Sequence, residues 1–190
     1  MLFLAKRTWK DALTGLLVLA LLGVALRAAV PDPPPFDLSF ETVRLGVLAV
    51  GLVLCSDGLI HGALLLLFGA RYRRLHLELA DGFRGQTYAA MFAGALMAGV
   101  GEELVFRGLS AHPAYLGVSA IVFGLLHHIR RELWPFTLWA MWEGALFGVA
   151  LGCTGVLGVT MIAHFLHDLI GFFIFRHLRG RTEEVAASVT

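Results

Sequence analysis

The sequence predicts an all-α fold, a single polytopic membrane bundle of about six transmembrane helices. Three observations predict it. The hydrophobic fraction is 58%, above the roughly 45–50% of ordinary soluble domains, and only 15% of residues are charged. Apolar residues come in long runs, most of a length that suits a bilayer. Basic residues sit in short clusters between those runs, on alternate connections. The mean hydropathy of +0.78 agrees with a chain that is membrane-embedded throughout rather than a soluble domain with one anchor. The scattered basic clusters form no nucleic-acid patch, and no nucleic-acid partner is expected. The two cysteines, Cys55 and Cys153, lie in separate apolar stretches without a CxxC spacing. They are expected to be buried thiols rather than a disulfide.

Taken in order, residues 1–11 carry Lys6, Arg7 and Lys10, and residues 12–30 form the first apolar run. The run is long for a signal peptide and further spans follow, so an uncleaved first span is expected. Pro31-Asp32-Pro33-Pro34-Pro35 ends it, because proline lacks the amide a helix needs. Residues 44–69 form the second span. Asp57 and His61 interrupt it four residues apart and so share a helix face, which favours a hydrogen-bonded Asp–His pair facing the bundle. Leu75-His76-Leu77-Glu78-Leu79 alternates in polarity and reads as an interfacial segment, broken at Asp81-Gly82.

The third span is expected from Tyr88 to Leu109. It is rich in alanine and glycine, residues that let helices approach closely in lipid, and is therefore expected at the centre of the bundle. The fourth lies between Gly117 and Arg130, the fifth between Pro135 and Gly152, the sixth between Val156 and Phe175. Trp134, Trp139 and Trp142 read as an interfacial aromatic belt, with Glu143 an interfacial residue beside them if the span begins late and a cavity-lining residue otherwise. The tail beyond Gly180 is polar and expected to fray.

The charges orient this layout. Four segments, residues 1–11, 70–87, 129–134 and 176–190, hold nearly all the basic residues: Lys6, Arg7 and Lys10; Arg71, Arg73, Arg74 and Arg84; Arg130 and Arg131; Arg176, Arg179 and Arg181. The intervening loops carry only Arg27 and Arg44, at span edges. By the positive-inside rule both termini are cytoplasmic. The chain reads as one membrane domain over residues 1–190. Residues 12–87 hold the N-terminal helices and the interfacial segment, 88–176 the core with the candidate chemistry, and 177–190 a cytoplasmic tail.

Within the core, Gly101-Glu102-Glu103-Leu104-Val105-Phe106-Arg107-Gly108 closes the third span. Placing one charged side chain at the centre of a membrane helix costs about 2.5–3.5 kcal/mol on insertion scales, so an intramembrane carboxylate points to function. Glu103 and Arg107 are four apart and can pair. Glu102 is turned by about 100° and faces a different neighbour. His127 and His128 end the fourth run. His164, His167 and Asp168 lie in the sixth, with His164 and Asp168 on one face. Such a pair can ligate a metal, orient an imidazole, or help stabilise an oxyanion. Glu102 is about 10 Å and His164 about 12 Å from the outer ends of their helices. His127 reaches that depth only if the fourth helix starts near Val118.

Glu102-Glu103-x-x-x-Arg107, Phe123-x-x-x-His127 and His164-x-x-x-Asp168, in that order on successive helices, resemble the three motifs of the CPBP (Abi) family of intramembrane proteases. That family includes CAAX prenyl endopeptidases and bacteriocin-immunity proteins. The resemblance covers about Tyr88 to Phe175. It departs from the pattern in a short Glu102–His127 spacing and in aspartate at position 168, where asparagine is frequent. It implies an integral protein of a bacterial-type plasma membrane that hydrolyses a peptide bond in a peptide or protein substrate, which for a CAAX-type enzyme is prenylated. By the resemblance, Glu102 is the general base, His127 helps to hold the water, and His164 and Asp168 form the oxyanion side. Glu103 and Arg107 support them. This reading uses no metal. A second reading makes Glu102, His127 and His164 ligands of zinc, although no HExxH motif or nearby thiolate is present. A third is a non-catalytic binding or immunity protein.

Overall fold

The computed structural model describes the backbone of residues 9–83, 85–128, 131 and 134–188, with side chains described between residues 13 and 177. Lys6, Arg7, Arg84 and Arg130, and the side chains of Lys10, Arg179 and Arg181, which entered the orientation argument, lie outside the described residues. Among the described residues six helices follow in order: α1 (Trp9–Ala28), α2 (Phe40–Gly82), α3 (Tyr88–Phe106), α4 (Pro113–Leu126), α5 (Pro135–Thr154) and α6 (Leu157–Ser188). Among the described residues there is no strand. Of these described helices four are long and apolar enough to cross a membrane, and Leu13–Ala28 and Pro113–Leu126 are shorter apolar helices. Their outward faces are apolar: Leu52, Leu59, Leu66 and Leu67 are 74%, 78%, 88% and 73% exposed. Lipid, not water, suits such a surface. The protein is an integral membrane helix bundle.

Local chemistry sets the helix starts. The Ser39 hydroxyl accepts from the Thr42 amide at 3.3 Å and caps α2. The Thr87 hydroxyl accepts from the Ala90 amide at 3.1 Å and caps α3. Pro113 and Pro135 open α4 and α5, where a missing amide hydrogen costs nothing. The proline-rich connection is tied to the start of α6, since the Leu157 amide donates to the Pro35 carbonyl at 2.9 Å.

α2 kinks at Gly69, whose φ of 44° and ψ of −112° are readily reached only without a Cβ. Beyond the kink the chain stays helical to Gly82, so the stretch at 75–79 that alternates in polarity lies on a helix. Leu75 and Leu79, four apart, are 0% and 2% exposed, and helical burial overrides the two-residue period. α4 starts at Pro113, not near Val118, and α6 continues through Ser188 where fraying was expected. Cys55 and Cys153 are exposed, free thiols on outward faces rather than buried ones.

α1 lies against α3, α2 against α6, α4 against α5, and α3 against α6. The close fit of α3 and α6 positions the site. A Cβ on Gly99 would stand 2.8 Å from the Phe165 amide nitrogen and 3.0 Å from the Met161 carbonyl oxygen, so only glycine permits this approach. Three residues later α3 presents Glu102, while α6 presents His164 within the same contact.

Candidate active site

Glu102 and Glu103 lie in the last turn of α3, and both are buried. Glu103 and Arg107 form the expected pair four residues apart, at 2.8 Å, with both side chains fully buried. Arg107 also donates to the Gly144 carbonyl on α5 at 2.7 Å, and its guanidinium lies 4.8 Å from the Phe123 ring centroid. One cation therefore ties α3, α4 and α5 together.

The same Glu103 Oε1 lies 2.9 Å from His164 Nδ1 on α6. A carboxylate oxygen accepts, so Nδ1 carries the hydrogen and the imidazole presents Nε2 to the opposite side. Phe147 stacks on this ring at 4.8 Å between centroids. His127 is fixed in a matching way at the end of α4. Its Nδ1 donates to the Phe123 carbonyl at 2.6 Å, which turns its Nε2 inward. The two Nε2 atoms approach one oxygen, Glu102 Oε2, at 3.8 Å from His127 and 3.7 Å from His164. These separations are too long for direct hydrogen bonds. They suit a water lying off the line at about 2.8 Å from each pair of polar atoms.

Asp168 lies farther out. Its Oδ1 is 3.8 Å from His164 Nε2 and 3.6 Å from His167 Nδ1. Orientation of His164 thus falls to Glu103, not to Asp168. His128 turns away from the site and meets the Thr137 hydroxyl at 3.1 Å. His127 reaches Glu102 although α4 starts at Pro113. A 14-residue helix is only about 21 Å long, shorter than the roughly 30 Å hydrocarbon core of a bilayer.

These groups line a cavity of about 280 Å³, whose apolar wall includes Leu54, Phe123, Phe136, Trp139, Phe172 and Phe175. The cavity also contains residues read differently from sequence. Asp57 does not pair with His61. It accepts from His167 Nε2 at 2.8 Å and from Trp139 Nε1 at 3.4 Å. His61 instead meets the Tyr72 hydroxyl. Glu143 is no interfacial residue, for its Oε1 lies 3.1 Å from His167 Nε2. Trp139 is buried at the cavity wall rather than in an aromatic belt. The signal for Asp57, Glu143 and His167 was present, three polar residues interrupting three apolar helices. Nothing in the spacing joined them.

The zinc reading can be tested on geometry. The donor chemistry of Glu102, His127 and His164 suits zinc, with each imidazole held through its other nitrogen. The spacing does not: among the described residues the one trio whose ligand atoms all lie within 4.8 Å of one another is Asp57, Glu143 and His167.

An apolar helix bundle with a carboxylate set between two fixed imidazoles at a cavity defines the class: an integral membrane protein with a buried carboxylate–imidazole cluster. Residues 84–170 match the family model described as type II CAAX prenyl endopeptidase Rce1-like. The matched stretch contains all three motifs, and the resemblance to the CPBP family of CAAX-protease-like membrane peptidases is borne out. No match was found among curated proteins or among solved structures.

Proposed function

We propose that the protein is an intramembrane endopeptidase in which Glu102 activates a water for attack on a peptide carbonyl. The observation that carries this reading is the placement of Glu102 Oε2 at 3.8 and 3.7 Å from the inward Nε2 atoms of His127 and His164, at the wall of the cavity. A water bound there loses a proton to Glu102 as its oxygen bonds to the carbonyl carbon. The carbonyl π pair moves to oxygen. His164, protonated at both nitrogens, donates through Nδ1 to Glu103 and through Nε2 to the new oxyanion, a fixed donor in an apolar surround. Glu102 then passes the proton to the amide nitrogen and the C–N bond breaks. His127, whose Nε2 is an acceptor while Nδ1 serves Phe123, holds the second water hydrogen. Asp168 supplies negative charge near the His164 imidazolium, a role that needs no proton on the carboxyl.

The apolar wall suits a hydrophobic peptide segment, and a prenylated one is the substrate the family resemblance suggests. A plasma membrane of bacterial type is the location the family resemblance suggests, and the basic residues suggest that both termini are cytoplasmic. Reporter fusions at each terminus test that orientation.

The activity is tested in liposomes with a panel of membrane-segment peptides, one of them prenylated. The wild type is expected to cleave at least one peptide that Glu102→Ala leaves intact. Equal cleavage by both proteins would overturn the assignment of the base.

A further inference from the structure

We infer that Asp57, Glu143 and His167 form a divalent-cation site of zinc type that clamps α2, α5 and α6 beside the candidate active site. This inference does not rest on the peptidase reading, and the mechanism above makes no use of the trio.

The geometry comes first. Two carboxylate oxygens from two different helices converge on one ring nitrogen of a third. Asp57 Oδ2 is 2.8 Å and Glu143 Oε1 3.1 Å from His167 Nε2. All three ligand atoms lie within 4.8 Å of one another. Zinc takes imidazole nitrogen and carboxylate oxygen at about 2.0–2.2 Å, which sets neighbouring ligands about 3.3 Å apart in a tetrahedron. The two contacts to His167 need to open by only a few tenths of an ångström to admit the ion.

Hydrogen bonding and charge come second. One N–H on Nε2 serves one acceptor well, and Asp57 takes it. Glu143 Oε1 is buried and has no hydrogen-bond partner among the described residues. Two buried carboxylates beside a single imidazole carry more negative charge than the imidazole can offset, and buried charge requires a counter-charge. A divalent cation at the point of convergence supplies it and gives Oε1 a partner.

The surroundings come third. Metal-bound histidines donate their other nitrogen to an outer carboxylate or carbonyl, and ligating carboxylates are themselves hydrogen-bonded. Asp168 Oδ1 stands 3.6 Å from His167 Nδ1, a buried atom with no hydrogen-bond partner among the described residues, so a small turn of either side chain closes the outer bond. Trp139 Nε1 donates to the second oxygen of Asp57 at 3.4 Å. Asp57, Glu143 and His167 all line the cavity, which gives the ion an entrance and room for a water as fourth ligand.

The test uses the full chain in detergent, stripped with chelator and titrated with zinc alone. The wild type is expected to bind about one zinc per chain. X-ray absorption is expected to show a single imidazole among oxygen donors. The double variant Glu143→Gln, His167→Gln should bind at least about 10–100-fold more weakly, the loss that even outer-shell changes produce. Glu102→Gln and His127→Gln should keep the wild-type stoichiometry. Circular dichroism checks that each variant keeps its helices, and the wild-type absorption spectrum decides the matter if the double variant misfolds. Absence of zinc from the wild type would overturn the site, meaning that a shared proton balances the carboxylates instead. A spectrum with two imidazoles, or zinc lost on Glu102→Gln, would overturn it in favour of metal at the active site.

Discussion

His164 Nδ1 on α6 and Glu103 Oε1 on α3 lie 2.9 Å apart, and that same oxygen accepts from Arg107 at 2.8 Å. One carboxylate oxygen thus fixes both the guanidinium on its own helix and the imidazole of another. Glu103→Gln replaces one acceptor oxygen with a donor nitrogen and can reverse the hydrogen on Nδ1. We expect kcat to fall by about 10²–10⁴-fold, the range of a lost acid–base contribution, with little change in KM. Steady-state cleavage kinetics in liposomes measure both. An unchanged kcat would remove Glu103 as the group that orients His164.

Arg107 is fully buried beside Glu103. Replacing it with methionine leaves the Glu103 carboxylate without its cation. Breaking a buried pair from one side costs about 3–5 kcal/mol, so Arg107→Met is expected to lower the unfolding midpoint in detergent strongly. Arg107→Lys retains the charge but not the second bond to Gly144, and should fall between the two.

Gly99 keeps α3 against the backbone of α6. Gly99→Val forces the helices apart, because the Phe165 amide and the Met161 carbonyl cannot yield as a flexible side chain can. The expected result is a folded protein with wider Glu102–His164 spacing and reduced cleavage. Cross-linking of cysteines introduced on α3 and α6 reports the spacing separately from activity.

Outside the spans, hydrogen bonds from the Ser39 and Thr42 hydroxyls hold the Asp37 carboxyl below its ordinary pKa of 3.8. A depressed carboxyl pKa contributes stability that is present above the unfolded value and is lost as pH falls through the folded one. The Asp37–Ser39–Thr42 cap at the start of α2 should therefore loosen only in acid, below the usual carboxylate range. Amide exchange at residues 39–43, compared between neutral and acid pH, should rise for the wild type and be largely pH-independent for Asp37→Asn beyond the intrinsic chemical dependence.

Much of this was readable from residue order. The Glu103–Arg107 pair follows from four-residue spacing on a helix, and the three motifs brought Glu102, His127 and His164 forward as one set. The bundle itself followed from apolar runs and their punctuation. What escaped was tertiary. Asp57 and His61 have the spacing of a pair, but Asp57 meets His167, 110 residues away, because α2 lies on α6. The alternating polarity of 75–79 shows no helical period, yet Leu75 and Leu79 find a helical burial site after the Gly69 kink. The short α4 carries His127 to the cavity from a depth that counting residues from the membrane surface could not assign.

The central claim is that Glu102 is the base, and the rate of peptide cleavage by Glu102→Gln relative to wild type in liposomes tests it most directly. The substitution preserves size and removes the basic oxygen. The account predicts a fall of about 10²–10⁴-fold, with helix content and unfolding midpoint unchanged. Cleavage by Glu102→Gln at the wild-type rate would contradict it.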